Sequence, residues 1–96
     1  MRQVDLAVYA DALAGEAAAL AARAERSRTR LREAALEQAA RAELDAEIIG
    51  TLERLGVLGR IDEAAVRREL RELADGLAAV EALQAWVEGR LGFNSP

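Results

Sequence analysis

The chain has 96 residues and a net charge of −4, one domain's length with no general bias toward polyanions or anionic membrane surfaces. It contains no Cys and no His, which removes disulfides, thiolate or imidazole metal sites, cysteine nucleophiles and the usual general base near neutral pH. Apolar residues make up 52%, but 23 residues are Ala and only Tyr9, Trp86 and Phe93 are aromatic, so a compact globule would have a thin core and long helices packed along a seam suit the composition better.

All 13 basic residues are Arg, which fits a GC-rich coding bias alongside the excess of Ala, Gly and Leu. Proline occurs only at Pro96, and β-branched residues never alternate, so helix is permitted throughout and strands are not expected. The first element is expected over about 3–55. Near its start Leu6, Leu13 and Leu20 alternate with Ala10, Ala17 and Ala24. Leu at one seam position and Ala at the other allows close antiparallel packing, and these six residues are the expected self-association face. Leu31, Leu36, Leu44, Ile48, Ile49, Leu52 and Leu55 continue an apolar face, helped by Ala35, Ala39, Ala40 and Ala42.

Between Leu20 and Leu31 there is no large apolar residue, and the run Arg23, Arg26, Arg28, Arg30, Arg32 occupies the gap. Two architectures follow. A continuous helix of about 80 Å would make a long antiparallel, coiled-coil-like hairpin with unequal arms, whose N-terminal arm needs another copy. A turn near Ser27 to Thr29 would instead close a three-helix bundle. The stretch lacks Gly, Pro and a capping box, which favours the continuous helix.

The clearest break spans residues 56–61. Gly56 suits the left-handed position after a helix end, with Val57 folding back toward Leu52 as in a Schellman cap. Asp62 is a good N-cap, and Ile61 and Val66 are spaced as a hydrophobic staple. The second helix is expected over about 62–91. Its Val66, Leu70, Leu73, Leu77, Val80, Val87 and Leu91 fall at heptad spacing, with the polar Gln84 on the same seam. Gly92 followed by Phe93 reads as a stop, with Phe93 turned back onto Val87 and residues 92–96 as a tail.

Chemistry-bearing constellations are sparse. Glu33 with Glu37, Glu43 with Glu47, and Glu69 with Glu72 are spaced to share a helix face. Di-iron bundles need Glu-x-x-His, which is missing, so a solvated face with partners such as Glu37 with Arg41 is the expectation. The hydroxyls Ser27, Ser95, Thr29, Thr51 and Tyr9 have no adjacent base for a triad. Gly56-x-x-Gly59 lacks the ending of a phosphate loop. No catalytic residue, cofactor or metal is expected.

Within the arginine run, Arg26 with Arg30 and Arg28 with Arg32 are like-charge pairs at helical spacing. They form a solvated girdle, pair with an acidic protein face, or touch nucleic-acid phosphates weakly, without sequence preference and with strong salt dependence. Trp86, beside Leu83, is either an interface anchor or buried against the Ala face of the first helix. Leu83, Trp86 and Phe93 are therefore the expected contacts for a protein partner. The stretches Ala17 to Ala22 and Ala82 to Val87 are too short to span a bilayer, and Asp5 and Asp11 interrupt any secretory apolar core, so a cytoplasmic address is expected.

In periodicity alone, a long-armed hairpin of this size resembles the oligomerisation parts of viral small terminase subunits and some secretion or flagellar export chaperones. That resemblance implies an oligomer. The expected function is that of a non-enzymatic, homo-oligomeric helical adaptor or scaffold, with a nucleic-acid packaging or organising protein as the rival.

Overall fold

The computed structural model describes residues 3–59 and 61–93, together with all their side chains except those of Gln3, Val4 and Phe93. The fold is an all-α antiparallel hairpin, with three helices in the order α1 (Gln3–Glu43), α2 (Ala46–Arg54) and α3 (Glu63–Phe93) and no strand among the described residues. The chain divides into two compact units, one of residues 1–25 with 71–96 and one of residues 26–70.

The helix runs unbroken through Ser27 to Thr29, so there is no bundle turn there. The reason lies in the small residues of the gap. Ala24 is 2% exposed and Ser27 3% exposed, and with Leu20, Leu31 and Ala34 they keep the four-three seam going under the arginines. A seam position need not be large if its neighbour comes close, and Ala or Ser permits that approach. No buried side-chain nitrogen or oxygen among the described residues lacks a hydrogen-bond partner, so this buried hydroxyl leaves no polar atom orphaned.

The first unit buries Leu20 and Ala24 of α1 with Leu73 and Val87 of α3. Leu20 Cδ1 lies 3.8 Å from where a Cβ would stand on Gly76, which fixes the level at which the antiparallel helices meet. Leu6, Ala10, Leu13 and Ala17 are half-buried along the same seam, as are Leu77, Val80, Gln84 and Leu91 of α3. The N-terminal arm thus has an intramolecular mate, correcting the expectation that it must find one in another copy.

The second unit buries Ala34, Leu58 and Val66. The continuous helix expected to residue 55 ends instead at Glu43, and α2 begins at Ala46. After Ala34 the half-buried face of α1 continues through the charged Glu37 and Arg41 to Leu44, and the exposed Asp45 follows the helix end. Asp45 adopts the extended N-cap conformation of α2, with φ −80° and ψ 162°. The break also places Glu43 and Glu47 on different helices, so they do not share a helix face.

Polar groups then fasten the far end. Arg41 Nη1 donates to Glu53 Oε1 at 2.9 Å, tying α1 to α2. The Gly59 N–H donates to Glu37 Oε1 at 2.9 Å, tying α1 to the loop. Glu37 and Arg41 therefore clamp the turn, a role beyond the solvated pair expected of them. A side chain on Gly59 would press on that carboxylate, since its Cβ would stand 3.2 Å from Glu37 Oε1.

The α2 end follows the Schellman pattern. Val57 N–H donates to Leu52 O at 2.9 Å and Gly56 N–H to Glu53 O at 3.1 Å, with Gly56 at φ 73°. The Val57 side chain does not complete the cap, being 65% exposed, and Leu58 fills the interior in its place at 8%. Asp62 caps α3 as its residue type predicts, its Oδ1 accepting the Ala65 N–H at 3.0 Å. The following Val66 is 2% exposed. At the C-terminal end α3 continues through Gly92 and Phe93, so no stop occurs between Leu91 and Gly92. The expected fold-back of the Phe93 side chain and the tail 94–96 lie outside the described residues.

Two substitutions on α3 separate seam from flank. Leu73→Ala is expected to cost about 2–4 kcal/mol by emptying a buried site, whereas exposed Leu83→Ala changes monomer stability by under about 0.5 kcal/mol. Denaturant melts at a concentration too low for association check this, and equal losses would contradict the seam. Glu37→Ala is expected to release the Gly59 amide to hydrogen exchange and to cost about 1–2 kcal/mol; unchanged protection of that amide would show that the carboxylate does not hold the loop.

Candidate functional site

One face of the first unit departs from the rule that large apolar side chains are covered. On α1, Tyr9 and Glu16 stand seven residues apart beside the seam, with Ala12 between them. On α3, Leu83 and Arg90 stand seven apart on the facing flank, with Trp86 just outside them. Alanine at position 12 leaves a depression that its larger neighbours enclose. The result is an open cavity of about 730 Å³ lined by Leu6, Tyr9, Ala12, Leu13 and Glu16 of α1 and by Leu83, Trp86, Val87 and Arg90 of α3.

Exposure decides how this groove is read. Tyr9 is 54% exposed, Leu83 54% and Trp86 55%, while Val87 beneath them is 5% exposed. Trp86 is thus not the core of the hairpin, and of its two sequence readings the buried one is excluded. A cation stands over its ring, the Arg90 guanidinium carbon lying 5.1 Å from the ring centroid. The groove has an apolar floor, an acid at its inner edge and a base stacked on its largest ring.

The residues picked from the sequence are brought together in part. Leu6 and Leu13 meet Leu83 and Trp86 around the groove. Leu20 and Ala24 are buried within the chain itself, and Ala10 and Ala17 are half-buried beside them. The Phe93 side chain lies outside the described residues. Tyr9, Ala12, Glu16 and Arg90 were missed, because each sits off the heptad positions. The signal that could have found them is the repeat of seven that joins Tyr9 to Glu16 and Leu83 to Arg90.

The arginine run is fully on the surface, Arg23, Arg26, Arg28, Arg30 and Arg32 all being exposed. In the second unit the buried Ser27 and half-buried Leu31 divide it. Helical spacing puts Arg26 and Arg30 on one flank of that seam and Arg28 and Arg32 on the other. Arg32 Nη2 donates to Thr29 Oγ1 at 2.9 Å. On α3, Arg67 meets Glu63 at 3.8 Å, four residues away. Arg23 shares the flank of Arg26 and Arg30, three and seven residues before them, so three of the five arginines line one side of the seam and two the other.

No group of three or more Asp or Glu side chains able to hold a metal ion occurs among the described residues. No described helix is long and apolar enough to cross a membrane. Comparison with protein-family models, curated proteins and solved structures finds no match for this chain.

The groove's openness has a spectroscopic consequence. With a single Trp in the chain, emission at submicromolar concentration is expected to lie to the red and to be quenched readily by acrylamide. A blue, quencher-resistant emission at high dilution would contradict the exposed placement of Trp86.

Proposed function

We propose that this chain is a non-enzymatic helical adaptor or scaffold that acts through protein–protein contact, and that a second copy of the chain occupies the groove. The reading rests on one observation: the only Trp of the sequence stands half-exposed beside Tyr9 and Leu83 over a formed apolar depression, while no buried side chain among the described residues is larger than Leu. Exposed aromatic clusters rimmed by polar groups mark interaction surfaces, and Trp and Tyr lead the residues that carry binding energy there.

The choice of a second copy follows from the charges. Within its lining the groove carries one acid, Glu16, and one base, Arg90. A strongly acidic or basic partner would meet a like charge at one edge, whereas a surface of the same composition can match both. The Leu and Ala residues expected to drive self-association from the seam are largely occupied within the chain, so the assembly is assigned to the flank beside them. A cytoplasmic address accompanies this reading.

The checking experiment is sedimentation equilibrium of the whole chain at about 1–100 μM, the range of ordinary specific association. A dimer or larger species is expected, and Trp86→Ala is expected to weaken it by about 2 kcal/mol or more, roughly thirtyfold in Kd. A strict monomer over that range would remove the proposal.

A further inference from the structure

We propose that two copies join through a two-fold axis lying in the face of the groove, so that Glu16 of each copy meets Arg90 of the other. The inference rests on the groove reading above and adds its geometry and its specificity-determining pair.

The positions of the two charges carry it. Leu20 stands level with Gly76, and the helices run antiparallel from there. Counting outward, Glu16 is level with Val80 and Arg90 is level with Leu6. The acid and the base are thus about ten residues apart along the groove, or about 15 Å. They also lie on opposite helices, so they occupy diagonal corners. The apolar surface of Tyr9, Leu83 and Trp86 fills the span between them.

A two-fold contact presents the same patch on both sides and exchanges positions across its axis. An axis midway between the two corners, perpendicular to the line joining them, carries each Glu16 over Arg90 of the other copy. Both ion pairs form at once, with the aromatic surfaces packed between them. The cation–π contact with Trp86 restricts the exposed Arg90 guanidinium to the edge of the groove before the second copy arrives. A head-to-tail contact would satisfy at most one of the two pairs and leave the other charge facing apolar surface.

The test is a charge exchange. Glu16→Arg and Arg90→Glu change exposed residues on the flanks of the helices, and circular dichroism confirms that each variant stays helical. Each alone sets like charges together twice per dimer and is expected to raise the dimer Kd by about tenfold or more. An equimolar mixture of the two variants restores both pairs in the heterodimer only. Native mass spectrometry of the mixture, with one variant isotopically labelled, is expected to show heterodimer in large excess over either homodimer. The double variant E16R/R90E is expected to dimerise within about threefold of the natural chain, since its pairs are only reversed.

A mixture that stays monomeric while Trp86→Ala still disrupts the natural dimer would overturn the two-fold geometry and leave the groove as the interface. A natural dimer unaffected by all three single substitutions would place association elsewhere and remove both. Statistical mixing of the variants, with neither homodimer weakened, would show that the charges have no part in recognition.

Discussion

Close approach of α1 and α3 along a seam of small and branched residues is the constraint on which the rest of the molecule depends. Ala24 and Ser27 are nearly inaccessible, although neither contributes much hydrophobic area of its own. Their value is steric. Leu73 in the same unit as Ala24 and Val66 in the same unit as Ser27 lose nearly all contact with water, each burial worth about 1.5–3 kcal/mol. Alanine adds high helix propensity at the same positions, so local preference and packing point the same way.

A seam this narrow covers little else. In the first unit it leaves the flanks of both helices open, and Tyr9, Leu83 and Trp86 stand there. Tyr9, Leu83 and Trp86 are not exposed for lack of room along the helices. They are exposed because the heptad rhythm assigns the seam to other positions, one or two residues away. The groove is thus a by-product of the seam's geometry, with Arg90 and Glu16 marking its two ends.

The far end solves a different problem. There the half-buried face of α1 passes to the charged Glu37 and Arg41, Asp45 follows the helix end, and the structure uses each of the three. Glu37 holds the loop at Gly59, Arg41 holds α2 through Glu53, and Asp45 stands at the start of a new helix. Charged residues on a half-buried helix face normally weaken a helical pair. Here they fix where the chain turns. The turn itself is built from local signals, with Gly56 in its left-handed conformation and Asp62 on the Ala65 amide.

Much of this was written in the order of residues. The four-three spacing on α3, the Gly56 cap and the Asp62 cap are local, since each depends on neighbours within about two helical turns, and each is found where the pattern places it. The unbroken helix under the arginines was legible too, from the lack of any stop signal. Its cause was not legible, because Ala24 and Ser27 matter only through what approaches them. The partners of Glu37 and Arg41 were decided by contacts far along the chain, 22 residues away for Glu37 and 12 for Arg41. The same holds for the groove. The sequence determined that Trp86 stands beside a seam, but whether a flank is covered or bare depends on the helix laid against it, and only the tertiary structure decided that it stands open.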